Sequence, residues 1–132
     1  MVVMGLVSKI VLKDLSLPTN IGSYGPNDVV PKEHMLDMNL LIAQDLVLIE
    51  NDDMEFVFDY DPLIATIEGL ARERHYHTQE YLLTRIVQAC AKYIEIEGVT
   101  LNLRKTPVLK NGSLGVEISV DKEYLEMVRI SL

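Results

Sequence analysis

Two amphipathic helices are encoded by residues 61–98, DPLIATIEGLARERHYHTQEYLLTRIVQACAKYIEIEG. Asp61-Pro62 predicts the start of the first helix, because an N-cap carboxylate followed by proline suits a first helical turn. Thr78 predicts the start of the second helix, with Glu80 in its first turn and Gly98 as its stop. In both segments apolar residues recur at helical spacing, so each helix has one face to bury.

Alternating apolar and polar residues before and after these helices predict β-strands. The predicted strands cover residues 8–17, with a bulge near Lys13-Asp14, and residues 34–48, 55–59, 99–105 and 114–120. The order β-β-(β)-α-α-β-β is typical of an α+β architecture. In it, an antiparallel four-stranded sheet carries two helices packed on one face.

The segments outside these elements carry further predictions. Residues 19–31, TNIGSYGPNDVVP, combine glycines and prolines in a way that predicts a long shaped loop, and such loops are often functional. Residues 121–132 have apolar positions at helical spacing and predict a short third helix. Four apolar residues are predicted on the sheet face turned away from the helices: Val11, Leu41, Ala43 and Val47. An apolar second face suggests contact with a partner subunit.

Composition excludes several classes of protein. Residues 1–132 suffice for one compact domain, and twenty acidic against twelve basic residues give a net charge of -8, which argues against nucleic acid as a partner. Cys90 is the single cysteine, so no intrachain disulfide forms and a reducing, cytoplasmic location is expected. No apolar run is long enough to span a membrane, and residues 1–8 lack the basic leader of a secretion signal.

Five short motifs resemble the dihydroneopterin aldolase family in order and spacing, over about residues 10–120. They are IGSYGP (21–26), FDYDPL (58–63), TQEYLLTRI (78–86), LNLRK (101–105) and SLGVEIS (113–119). The resemblance implies the tunnelling fold, in which subunits join into a ring, commonly stacked in pairs as an octamer, with active sites at subunit interfaces. Residues 121–132 would then be a C-terminal extension beyond the family's usual end.

The resemblance also implies a reaction in folate biosynthesis. Enzymes of this family cleave 7,8-dihydroneopterin into 6-hydroxymethyl-7,8-dihydropterin and glycolaldehyde by a retro-aldol reaction. Some relatives epimerise the side chain by running the same cleavage forward and back. Because the pterin's own C6–N5 imine accepts the electrons, the resemblance implies no cofactor, no metal and no lysine Schiff base. The choice between neopterin and monapterin rests on one stereocentre, and the sequence does not decide it.

The candidate substrate-binding residues are Glu80, Gln79, Tyr60 and Asp59. The free N–H groups of a first helical turn attract a carboxylate, and a fixed carboxylate suits the paired N–H donors of a pterin edge. By resemblance, Glu80 anchors the pterin, Gln79 adds main-chain contacts, and Tyr60, next to Asp59, reaches the site from the adjacent subunit. The alternatives are a plain helix-start carboxylate for Glu80 and a half-buried edge tyrosine for Tyr60.

The candidate catalytic residues are Lys105, Tyr60 and Asn27. Lys105 matches the family lysine that orders water and assists proton transfer, and the alternation predicts that Arg104 points to the opposite face. A solvated strand-end cation is the alternative for Lys105. Asn27 stands where the family usually has a glutamate, and an amide cannot take up a proton as a carboxylate does. Asp28 or Glu33 could replace that glutamate.

The substitution at position 27 keeps two other functions open. One is a pterin side-chain epimerase, and the other is a non-catalytic pterin-binding ring protein. An epimerase of a triphosphate substrate is disfavoured, since residues 19–31 contain no lysine or arginine. His34, His75 and His77 are poorly spaced for a metal site, so no metal is expected.

Overall fold

The four-stranded antiparallel sheet predicted from the sequence is present in the structure, a computed structural model that describes residues 5–108 and 111–132. The strands are β1 (Lys9–Leu17), β2 (Glu33–Ile42), β3 (Ile96–Val108) and β4 (Gly112–Val120), in the spatial order β1-β2-β3-β4. The helices are α1 (Asp61–Glu73), α2 (Gln79–Ala91) and α3 (Lys122–Ser131), with short 3-10 turns at Gln44–Leu46 and Met54–Phe56. The α+β class is therefore confirmed.

The helices cover one face of the sheet and enclose the core. Along β2 every second residue from His34 to Ile42 is buried, which is the alternation expected of a strand with one covered face. The predicted third helix is also confirmed, and it packs against α2 and β3, with Leu125 fully buried. No helix among the described residues is long and apolar enough to cross a membrane.

The predicted bulge in the first strand is confirmed. The pairing of β1 with β2 shifts between Leu12 and Leu15, and Asp14 adopts a left-handed φ of 58°. Aspartate tolerates this conformation better than most residues do. The Asp14 N–H donates to Asp37 Oδ1 at 2.8 Å, so the bulged residue still has a partner.

One predicted strand is too long and another predicted strand is absent. The second strand ends at Ile42 instead of residue 48, because the chain turns into the 3-10 segment Gln44–Leu46. Residues 55–59 are not a strand: Met54–Phe56 form a 3-10 turn in which the Asp53 carboxylate accepts from the Glu55 N–H. Short apolar runs look alike in either conformation, so periodicity alone did not separate them.

The predicted helix ends also need correction. The N-cap of α1 is Tyr60, one residue before the predicted Asp61, with Pro62 in the first turn. Helix α2 ends at Ala91, and Gly98 lies inside β3 instead of stopping the helix. Gly98 pairs with Leu41, and a Cβ there would lie 2.8 Å from Leu41 Cδ1, so this glycine allows a close strand contact.

The sheet face without helices is more polar than predicted. Val11 and Leu41 are exposed on it, but Ala43 and Val47 lie beyond the end of β2. At its centre Arg104 binds Asp14 and Asp37, the latter at 3.0 Å. The expectation of a largely apolar second face is therefore wrong, because the residues counted for it do not all belong to the sheet.

The structure describes only part of the connection between β3 and β4. Residues 109 and 110 of the predicted turn, like residues 1–4 of the start of the chain, fall outside the described residues. Gly115 on β4 pairs with Arg104, and a Cβ there would lie 2.6 Å from Arg104 Cβ. A glycine at this position therefore leaves room for the arginine.

Candidate active site

All the polar residues predicted for the site except Tyr60 and Asp59 lie at one end of the sheet. The end of β1, the start of β2 and the end of β3 meet there, with Leu17 paired to His34 and His34 paired to Lys105. Lys105 belongs to the helix-facing side by the alternation of the strand, and Arg104 belongs to the free side, where it binds Asp37. The prediction that these two cations point to opposite faces is confirmed.

His34 is a polar residue of this end that the sequence analysis did not connect with Lys105. Only 5% of its surface is exposed, and its Nδ1 lies 2.8 Å from Thr19 Oγ1. Its Nε2 is buried without a hydrogen-bond partner among the described residues. Burial, and then the charge of Lys105, lower the pKa of His34 and so favour the neutral imidazole. The signal was available, since His34 holds an inward position of an alternating strand.

The loop between β1 and β2 is fastened to the connection between α1 and α2. The Gly22 N–H donates to Tyr76 O and the Tyr76 N–H donates to Asn20 O, both at 2.8 Å. Gly22 has a φ of +87°, a conformation that favours glycine. His75 Nε2 lies 2.7 Å from Gly22 O, and the ring of His77 packs edge-on against His75. These contacts bring the loop close to the start of α2.

Helix α2 begins at the same end of the molecule. Thr78 is its N-cap, as predicted, and the hydroxyl accepts from the Tyr81 N–H at 3.2 Å. Glu80 lies exposed in the first turn, which is the predicted position for an anchoring carboxylate. Gln79 is buried, and its side-chain Oε1 has no hydrogen-bond partner among the described residues. The sequence had assigned only main-chain contacts to Gln79.

Asn27 lies exposed at a turn in the loop. The two carboxylates considered as its replacements already hold local hydrogen bonds. Asp28 Oδ2 accepts from the Gly25 N–H at 2.6 Å, and Glu33 Oε2 accepts from the Ser16 hydroxyl at 3.0 Å. Each would have to leave its partner to take the place of the family's glutamate.

Tyr60 and Asp59 lie at the opposite end of the sheet. They line a cavity of about 400 Å³ together with Lys9 and Ile42, where β1 begins and β2 ends. From Lys9 to Leu17 the strand advances about 26 Å, at roughly 3.3 Å per residue. One copy of the chain therefore does not bring Tyr60 to Lys105. Asp59 Oδ1 accepts from the Asp61 N–H at 3.1 Å and so supports the start of α1.

A second cavity lies under the loop at the Lys105 end. It has a volume of about 400 Å³ and is lined by the loop from Pro18 to Gly22, by Tyr24, and by Val30 to His34. Across residues 5–108 and 111–132, no group of three or more His, Cys, Asp or Glu side chains is arranged to hold a metal ion. The polar groups considered for the site at this end are the Gln79 amide, the His34 imidazole, the Glu80 carboxylate and the Lys105 ammonium group.

The fold is that of an α+β protein. Its candidate site residues form two separate groups, one at each end of the sheet. The family model described as dihydroneopterin aldolase (FolB) matches residues 10–119. The chain therefore belongs to the dihydroneopterin aldolase family. The expected family is confirmed, and the matched segment ends before α3.

Solved structures of the same fold agree with this assignment. A dihydroneopterin aldolase from Burkholderia thailandensis, bound to guanine, has a TM-score of 0.74 and 20% identity, over 88% of this chain and 92% of its own. The Escherichia coli dihydroneopterin aldolase in complex with neopterin has a TM-score of 0.71 and 17% identity, over 86% of this chain and 98% of its own. No curated protein sequence matches the chain significantly.

Proposed function

We propose that the protein cleaves 7,8-dihydroneopterin by a retro-aldol reaction to 6-hydroxymethyl-7,8-dihydropterin and glycolaldehyde. One observation carries the proposal: Glu80, in the first turn of α2, and Lys105, near the end of β3, lie at the same end of the sheet. The chain around them matches the aldolase family from residue 10 to 119. The reaction serves folate biosynthesis. We assign it to a cytoplasmic compartment, where a lone thiol such as Cys90 stays reduced.

Glu80 is the proposed anchor for the pterin ring. Guanine and neopterin, the ligands of the two structural neighbours, share an aminopyrimidinone edge with adjacent N–H donors. A carboxylate accepts both of these hydrogen bonds at once, and such charge-assisted bonds are stronger than neutral ones. The buried Gln79 Oε1, which has no partner among the described residues, is a second acceptor next to this anchor.

Lys105 and Tyr60 are the proposed proton-handling residues. Loss of the O2′ proton forms the aldehyde C=O as the C1′–C2′ bond breaks, and the bonding pair moves towards the C6–N5 imine. The Lys105 ammonium group can supply the N5 proton, and a tyrosine hydroxyl both donates and accepts. Asp59 would add a polar contact beside Tyr60.

The site is proposed to be shared between subunits of a ring. Tyr60 lies at the Lys9 end of the sheet and Lys105 at the Leu17 end, and these ends are roughly 26 Å apart at the usual strand rise, so a second copy is needed to join them. In the described sheet β1 and β4 are the outer strands, and each offers backbone groups for pairing with a neighbour. A tetrameric ring, alone or stacked as an octamer, would use both edges.

Asn27 favours one second candidate, a pterin-binding ring protein without catalysis. The experiment that separates the two is incubation with 7,8-dihydroneopterin, followed by chromatography for the two products. Appearance of glycolaldehyde with hydroxymethyl-dihydropterin supports the aldolase, and interconversion of neopterin and monapterin without cleavage products indicates the epimerase. Binding without any product over hours at high enzyme concentration rejects both enzymes and leaves the binding protein.

Glu80→Gln tests the anchor. The substitution removes the charge that two N–H donors share, and charge-assisted bonds contribute roughly 1.5–3 kcal/mol each, so we expect pterin affinity to fall at least about tenfold. Isothermal titration with neopterin measures the change. Glu123→Gln is the matched control, because Glu123 also lies in the first turn of a helix, α3. Equal affinity of Glu80→Gln and wild type would place the pterin elsewhere.

A further inference from the structure

His34 has the features of a functional group that the fold does not require. His34 is 5% exposed and its Nε2 has no hydrogen-bond partner among the described residues, and a buried polar atom without a partner destabilises the folded state. Native proteins rarely leave a buried polar atom without a partner unless a ligand, water or chemical role accounts for it. Neighbouring inward positions of β2 are filled by Leu36 and Met38, so an apolar side chain would suit this position for packing alone.

The surroundings of His34 point to the proposed reaction. Directly opposed residues on neighbouring antiparallel strands have Cβ atoms about 4.5–5.5 Å apart, which puts the Lys105 side chain beside the imidazole. Thr19 Oγ1 holds Nδ1 at 2.8 Å. His34 also lines the 400 Å³ cavity under the loop that carries Asn27, although Asn27 and Lys105 do not line it.

We propose that His34 is the proton-relay residue of this site and performs the proton acceptance that Asn27 cannot. Its Nε2 exchanges a proton with the reacting side chain by way of Lys105 and the water that Lys105 orders. Thr19 acts as the positioning residue: by accepting the Nδ1–H hydrogen bond, it keeps Nε2 unprotonated and ready to accept. This inference rests on the proposed aldolase function and names the base of that site.

The relay completes the proton balance of the cleavage. The O2′ proton passes to His34 Nε2, the C1′–C2′ bond breaks, the bonding pair forms C1′=C6, and N5 takes a proton from Lys105. In the second half N5 returns its proton to Lys105, and the imidazolium gives its proton to C1′. Protons and electrons balance without any other reactant, and both His34 and Lys105 end in their starting states.

Kinetics of His34 variants test the relay. A positioned acid–base group is typically worth about 10²–10⁴-fold, so His34→Phe and His34→Gln should each lose at least about 10²-fold in kcat with little change in pterin affinity. His77→Gln is the control, since His77 is exposed and outside the proposed machinery. Full kcat in His34→Phe, in an enzyme whose wild type cleaves dihydroneopterin, overturns the relay and leaves the aldolase function standing.

Three further readouts separate a relay from a packing role. Thr19→Val should lower kcat relative to wild type, and Thr19→Ser, which keeps the hydroxyl, should retain the wild-type kcat. Asn27→Glu added to His34→Phe should recover at least about tenfold in kcat, because it returns a proton acceptor to the loop. The proposal is overturned if Thr19→Ser is folded but as slow as Thr19→Val, and Asn27→Glu in folded His34→Phe gives no gain in kcat.

The pH profile gives the third readout. The residues that face His34 are Leu17 on β1, Lys105 on β3 and Thr19 in the loop. The charged residues Lys32 and Glu33 immediately precede His34 in the chain. Burial and Lys105 lower the pKa of His34, so the acid limb of wild-type kcat should lie below pH 6.5 and be absent in His34→Gln. If the His34 variants do not fold, the wild-type His34 Nε2 NMR signal serves instead. It should shift on neopterin binding, and an unchanged signal, or no pterin binding at all, overturns the relay.

Discussion

Cys90 is fully buried on the inward face of α2, the core position that the helical spacing predicted. Burial raises the pKa of its thiol to about 12, because the thiolate would be stranded in an apolar environment. We therefore expect thiol reagents to leave the native protein unmodified at pH 8 and to label one site per chain after unfolding. Mass spectrometry of samples with and without denaturant measures this. Rapid labelling of the folded protein would contradict the burial of Cys90.

Helix α3 closes the end of α2 and lies outside the segment that matches the family. The Arg129 guanidinium donates to Ala91 O at 2.6 Å and to Tyr93 O at 3.3 Å. These carbonyls lie at and just beyond the C-terminus of α2, where backbone acceptors lack helical partners and a cation is favoured. Leu125 adds a fully buried side chain. Helix α3 therefore contributes to the core, a role that its amphipathic pattern alone did not specify.

Leu125→Ala tests that role. Truncating a fully buried leucine leaves a cavity, so the free energy of unfolding should fall by about 2–5 kcal/mol. Ile130→Ala is the matched control on the same helix, since Ile130 is 86% exposed and its loss should change stability by less than about 0.5 kcal/mol. Chemical denaturation followed by circular dichroism gives both values. Similar losses in the two variants would mean that α3 has a different packing.

One subunit does not form the proposed site by itself, because Tyr60 and Lys105 lie at opposite ends of its sheet. Subunit mixing tests the shared site. Tyr60→Phe and Lys105→Ala should each be nearly inactive as pure proteins. When they are unfolded together in equal amounts and refolded, random assembly should give about a quarter of the sites both native residues. The mixture should therefore recover activity that neither variant has alone.

The control for this experiment is mixing without refolding, which should stay inactive if the rings exchange subunits slowly. Light scattering on the wild type should give an oligomer of at least four chains. A stable monomer at micromolar concentration, or no recovery after co-refolding of two folded and inactive variants, would contradict the shared site. Recovery without exchange would contradict assignment of these residues to different subunits.

The parts of the fold that depend on neighbours in the chain were predictable. Caps and helical spacing act within four residues, so the start of α2 at Thr78, the presence of α3 and the inward position of Cys90 all followed from local patterns. Alternation in β3 likewise separated Lys105 from Arg104. The bulge near Asp14 was visible as a slip in the same alternation. For the site, motif order identified the family before any contact was known.

The remaining features depend on residues far apart in the chain, and only the tertiary structure decided them. On the free sheet face, Arg104 meets Asp14 across ninety positions of sequence. The register of β2 against β3 put His34 beside Lys105, and the loop contact added Thr19. Such pairings are set by strand register and loop closure, which local periodicity does not encode. Local sequence patterns therefore determined the four sheet strands, the three helices and the family, and the cross-strand pairing determined which polar groups share a site.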